Sequence, residues 1–285
     1  MSGHRHGLLR RILFPLGVAF FTVFSLAPFV WMVYASFVPK SQLLSDPFAL
    51  PPQFTINNYY RLFASANDGI GADNFRHAII NSLGVCAVTT LISLLIGSIG
   101  GYAFARLRFG GKNALLLFLL AIQFLPSVTV IIPMYRMGSA VHLLNTWWIL
   151  IFAYTSFALP FTLWIMRGYF ESIPRSLENA ARVDGCSRFG AFLRVVLPLS
   201  APGFAATAIF TFLNAWDEFF FALIFTNNYA AKTLPVALSE FTSRHTIDFG
   251  LQMSGGVVAN ILPVVIALSM QRYIVRGLTA GGVKG

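Results

Sequence analysis

The chain has 285 residues, of which 56% are hydrophobic, 15% aromatic and only 11% charged, and its mean hydropathy is +0.71. A soluble domain carries about 25% charged residues, so a water-exposed globule, a disordered chain and a coiled coil are excluded and a polytopic membrane protein is left. The net charge of +10 sits in short loops between apolar runs. A nucleic-acid binder would gather it on one solvated face, so no nucleic-acid partner is expected. Cys86 lies in an apolar run and Cys186 in a basic loop, which fits neither a disulfide framework nor a metal site.

A hydrocarbon core of about 30 Å takes about 20 apolar residues as a helix. The first run, 12–38, follows Arg10 and Arg11. It is too long for a signal-peptide core and reads as an uncleaved anchor. An outer loop rich in turn formers (Pro47, Pro51, Pro52) leads to a second span at 78–105, where Gly97, Gly100 and Gly101 suit close helix packing. Spans at 113–135, with Gln123 inside it, and at 143–166 follow. Next comes a polar segment, 167–200. The fifth span, 201–226, is interrupted only by Asp217 and Glu218, and a loop at 227–248 precedes the sixth, 249–271, which holds Asn260. Pro28, Pro126, Pro160 and Pro263 fall inside spans, where neighbouring helices re-satisfy the freed backbone groups.

Six spans put both termini on one side. That side collects 14 Lys and Arg residues, and the other collects 6. The acids run the other way, three against seven. The positive-inside rule makes the basic side cytoplasmic, so charge and parity agree on six.

The inner segment reads ESIPRSLENAARVDGCSRFGAFLRVVLPLSAP. Pro174 suits a first helical turn, Leu177, Ala180 and Ala181 share a face, and Gly185 fits a left-handed stop. Ser187 is placed to cap a second helix, amphipathic through Phe189, Phe192, Leu193, Val196 and Leu197, which Pro198 should end. This is either a pair of helices lying on lipid or a docking element, with small residues for close approach and Glu178, Arg182 and Asp184 at its rim.

Asp217 and Glu218 are the only carboxylates within a span, and charge at that depth usually faces a cavity. With Asn214 one turn earlier and Trp216 beside them, they suit a sugar, whose hydroxyls donate and accept hydrogen bonds. An outer helix end, or bonds between helices, would use the same residues. Gln123 and Asn260 are either pathway residues or glue between helices. The five histidines lie at a terminus, in loops or near span ends, and no nucleophile–base or metal cluster is apparent, which argues against a membrane enzyme. A transporter working alone would usually carry ionisable groups or broken helices in matching halves, and only one span holds acids.

The stretches LENAARVDG and F-x-x-F-L-R-V-V-L-P-L-S-A-P resemble the cytoplasmic EAA loop of permease subunits of binding-protein-dependent ABC importers. Ala180, Ala181, Asp184, Gly185, Leu197 and Pro198 match its pattern, while Asn179 stands where the motif has glutamate, with Glu178 adjacent, and Cys186 replaces an alanine. The C-terminus, GLTAGGVKG from Gly277, with Leu278, Thr279 and Lys284, is similar to the tail of the six-helix permease of maltose-type carbohydrate importers. NAWDEFFFALIFT and KTLPVAL look like stretches of sugar permeases.

The resemblance implies an all-α, single-domain permease over 1–285 with the type I ABC importer fold, in a bacterial cytoplasmic membrane. Its partners would be a second, different permease, two ATPase subunits and an extracytoplasmic solute-binding protein. ATP and Mg would sit on the ATPases and no cofactor on this chain, which has no P-loop. The helix around Leu177 to Asp184 would dock in a cleft of the ATPase, and the tail would extend into the ATPase dimer. In the family the motif glutamate pairs with a basic ATPase residue. Asn179 forms no ion pair, so either Glu178 reaches around or the contact is weaker. The cargo would be a di- or oligosaccharide, with glycerol 3-phosphate or a related phosphodiester as the alternative. The spans hold no Lys or Arg, which favours a neutral sugar.

Overall fold

The computed structural model describes residues 3–45, 54–63, 72–242 and 248–282, and they are helical wherever they are regular. The helices are α1 (Gly3–Ser36), α2 (Lys40–Ser45), α3 (Asn57–Phe63), α4 (Ala72–Arg106), α5 (Lys112–Ile122), α6 (Ser127–Ala140) and α7 (Trp147–Ser172). After these come α8 (Arg175–Val183), α9 (Arg188–Ala191), a π-helical turn (Phe192–Val196), α10 (Leu197–Leu199), α11 (Ala201–Trp216), α12 (Phe220–Phe225), α13 (Leu234–Glu240) and α14 (Phe249–Gly282). Backbone packing gathers them into two units, residues 1–72 with 238–260, and residues 73–237 with 261–285.

Four of these helices are long and apolar enough to cross a bilayer, and six spans result if each of two bent pairs counts as one. The bends correct the expectation of simple spans. The third span is α5 and α6 at 89° to each other. It breaks over Gln123 to Pro126, because proline offers no N–H and its ring clashes with the preceding turn. The fifth begins with a 75° bend between the run 188–199 and α11. It stops at Trp216, and only after Asp217 to Phe219 does the chain coil again as α12. The fourth span, α7, starts at Trp147 and continues to Ser172, past its expected end. Pro198 falls one residue before the end of the amphipathic helix, which runs to Leu199 and then bends by 75° into α11.

In the first unit Asn58 is buried and donates its amide to the carbonyls of Ser36 (2.9 Å) and Val38 (3.1 Å), pinning α3 to the end of α1. The Asp248 carboxylate accepts from Arg61 at 2.8 Å and Lys40 at 3.3 Å, and caps α14 through the Leu251 N–H at 3.1 Å. Ala35, Val38 and Leu43 form a small core against Tyr34, Phe249 and Met253. The most apolar window of α1 buries none of its residues.

In the second unit α4, α7 and α11 pack closely, and the expected glycines serve this packing. A Cβ on Gly97 would lie 2.5 Å from the Thr162 methyl, and one on Gly101 would lie 3.0 Å from the Arg167 nitrogen. Asn81 of α4 satisfies three partners. Its amide donates to the carbonyls of Tyr229 and Lys232, both at 2.9 Å, and its oxygen accepts from the Trp147 indole at 2.8 Å.

Candidate functional site

The segment between the fourth and fifth spans folds as the residues dictate. Pro174 precedes α8, Gly185 takes φ +89°, and the Ser187 hydroxyl accepts from the Gly190 N–H at 3.0 Å. The π turn that follows packs Phe192 and Val196 into a core with Ala105, Met166, Phe170 and Ile173. The other side of α8 is open. Leu177 is 45% exposed and Val183 87% exposed. Asn179, Ala180 and Asp184 are also exposed, and Ala181 is half-buried. Leu197 is half-buried and Pro198 exposed.

Glu178 does not reach outward. It is buried, and its two oxygens accept from the Tyr102 hydroxyl and from Arg106 Nε, the latter at 2.9 Å. Of the two outcomes weighed for the missing motif glutamate, Glu178 is therefore not presented for an outside contact, and Asn179 occupies the open face alone.

Within the membrane-spanning part of the second unit lies a cavity of about 350 Å³, lined by polar residues from four spans: Thr89, Gln123, Tyr154, Thr211, Asn214 and Glu218, with Phe157, Phe161, Phe210 and Phe221 around them. Three of the expected pathway residues, Gln123, Asn214 and Glu218, thus converge. Gln123 donates to the Phe157 carbonyl at 3.1 Å and Asn214 to the Phe210 carbonyl at 2.8 Å. Glu218 caps α12, its oxygens accepting from the Phe221 N–H at 2.8 Å and the Ala222 N–H at 3.2 Å.

The other expected pathway residues stand apart. Trp216 is buried and stacks on Phe212 at 5.9 Å, so it offers no face to a sugar. Asp217 is exposed at the C-cap of α11 and belongs to the helix end. Asn260, in the first unit, donates to the Gly256 carbonyl at 2.8 Å. Tyr154, Thr89 and Thr211 were missed, since hydroxyls in apolar runs carry no signal of the cavity they face. The backbone of Gly277, Leu278 and Thr279 continues α14 as helix to Gly282, while their side chains and all of Lys284 lie outside the described residues.

An all-helical, multi-pass membrane chain, with a capped helix–turn–helix between two spans and a polar cavity among four, defines a transport permease. Residues 93–280 match the family model for the binding-protein-dependent transport system inner membrane component, and the chain belongs to that family. It is 34% identical over 282 residues to the trehalose/maltose transport system permease protein of Thermococcus litoralis, covering 99% of both chains. It is 37% identical over 264 residues to the trehalose transport system permease protein of Mycobacterium tuberculosis (92% and 93% covered), and 37% identical over 263 residues to the sulfoquinovosyl glycerol permease of Agrobacterium fabrum (91% and 89%). Among solved structures it superposes on a chain of a bacterial ABC transporter that imports the acidic polysaccharide alginate, with a TM-score of 0.74 at 20% identity, covering 95% of this chain and 96% of that one. The fold is that of a type I ABC importer permease.

Proposed function

We propose that this chain is one of two different permease subunits of an ATP-driven importer that moves a neutral di- or oligosaccharide inward. Both termini would be cytoplasmic. Two ATPase subunits would bind ATP and Mg, this chain would hold no cofactor, and an extracytoplasmic binding protein would deliver the cargo to the loop that Asn81 anchors. The residues of α8 and its turn (Leu177, Asn179, Ala180, Ala181, Asp184 and Gly185) would dock on the ATPase, with Leu197 and Pro198 completing the loop behind them. The helix end from Gly277 would approach the ATPase dimer. Cargo would pass the cavity at Gln123, Asn214 and Glu218.

The carrying observation is the outer strip of α8. Leu177, Ala180 and Val183 recur every three residues on a helix outside the spans, uncharged and exposed. An apolar strip of this kind marks a surface for a partner. A neutral cargo is favoured because the cavity wall carries no Lys or Arg to meet a phosphate.

The test is uptake into proteoliposomes holding this chain, its partner permease, both ATPases and the binding protein. ATP-dependent accumulation of labelled trehalose without glycerol 3-phosphate supports the reading. The reverse preference moves the cargo to phosphate esters. Uptake without the ATPases, driven by an ion gradient, overturns the importer reading.

A further inference from the structure

The helices joined to α8 along the chain are α7 before it and, through the amphipathic turn, α11 after it. Its buried polar bonds go elsewhere, to α4, more than seventy residues upstream. Glu178 is held by Tyr102 and Arg106, both in the last two turns of α4, and the Arg106 and Glu178 side chains are only 6% and 9% exposed. Arg106 Nη2 also donates to the Ile173 carbonyl, at the end of α7, at 2.9 Å. In return Arg175, the first residue of α8, donates to the Ala105 carbonyl of α4 at 3.3 Å. The Tyr102 ring lies 4.5 Å from Phe192 in the turn below. Arg175 of α8 thus caps the end of α4, Arg106 of α4 caps the end of α7, and each carboxylate oxygen of Glu178 has a partner.

We propose that Arg106, Glu178 and Tyr102 are the positioning residues that make α8 and the end of α4 one rigid body, so that a push on the outer strip of α8 is delivered to the second span. The inference rests on the docking role of α8 given above. A buried carboxylate with directional bonds to two side chains resists rotation in a way that apolar packing does not, because turning α8 would strip partners from a charge largely shielded from water. The placement also explains how the outer face dispenses with the motif glutamate. The only carboxylate of α8 faces α4, and the exposed strip docks through shape.

Two measurements on the assembled complex test this. Spin labels at Ser176→Cys on α8 and Ile99→Cys on α4, both exposed positions, are placed in a Cys86→Ala, Cys186→Ser chain. The distance between them should change by less than about 2 Å, the scale of a small helix shift, between nucleotide-free and ATP-trapped complexes. A larger change overturns the proposal, and because the pair itself is untouched the result does not depend on a variant folding. The second measurement replaces the pair with Arg106→Met and Glu178→Leu together, which leaves no unpaired buried charge. In complexes that still carry the ATPases, stimulation of ATP hydrolysis by the trehalose-loaded binding protein should fall about tenfold, equivalent to 1.4 kcal/mol of lost coupling. Stimulation within about twofold of wild type would mean that packing alone transmits the motion and would overturn the proposal. Val183→Asp separates the underlying reading. Loss of ATPase association in that variant supports docking through α8, and unchanged association removes it whatever the labels report.

Discussion

At Asp248 one carboxylate holds three chain segments. Burial pushes its carboxyl up, but hydrogen bonds from Arg61, the Leu251 N–H and Lys40, with the Arg61 charge, outweigh that and hold it below the usual carboxylate range. A group whose folded pKa is lowered adds stability above its unfolded value, about 3.9, and that stability is lost as pH falls through the folded value. Asp248→Asn keeps a cap for α14 and loses the ion pairs. In detergent at pH 7 it should be less stable than wild type by about 1 kcal/mol, a modest figure because Lys40 and Arg61 are partly exposed. Thermal melts should show the gap closing as the pH is taken below the ordinary carboxylate range. Gly250 is a second sensitive point. A Cβ there would lie 2.6 Å from the Asn58 oxygen, and Asn58 is already committed to two carbonyls. Gly250→Ala should cost about 2 kcal/mol by overpacking, read from the same melts. Gly185→Ala forces a left-handed conformation on a residue with a Cβ and should cost about 1 kcal/mol, read as a lowered melting temperature with α8 still present by circular dichroism.

At the scale of elements, local punctuation was legible and direction was not. Pro174, Gly185 and Ser187 are signals that act within a few residues, so α8, its turn and the cap of α9 could be read from the sequence. The bend between α5 and α6 could not, because Gln123 to Pro126 is uncharged and an apolar count runs straight through it. The residues Asp217 and Glu218 were visible, but their work was not. They mark the end of one helix and the start of another, a need that hydropathy does not register. Glu218→Ala removes the oxygens that meet the Phe221 and Ala222 N–H groups and should destabilise α12 by about 1–2 kcal/mol. Hydrogen exchange at those two amides should quicken while the amides of α7 stay protected.

At the scale of the molecule, six spans could be read because the apolar runs number six and the basic excess, a separate signal, falls on the side where an even count puts both termini. What lay out of reach was anything that joins distant segments. The convergence of Gln123, Asn214 and Glu218 on one cavity, the three partners of Asn81 and the burial of Glu178 against Arg106 all depend on packing that sequence spacing does not encode. The proposed orientation has a direct check in the two natural thiols, Cys86 buried and Cys186 half-exposed in the turn after α8. A membrane-impermeant maleimide should modify Cys186 alone in inverted vesicles and neither thiol in right-side-out vesicles. Adding the ATPase subunits should slow the reaction at Cys186.

The pair at Arg106 and Glu178 also constrains how such a gene is able to change. Losing either partner alone strands a charge in a site largely shielded from water, a step that costs up to about 3–5 kcal/mol, whereas replacing both at once is often neutral. Two codons far apart in the reading frame are thereby bound into one heritable unit, with a fitness valley between the ionic and the apolar versions. In descendants of this chain the two positions should be kept together or lost together.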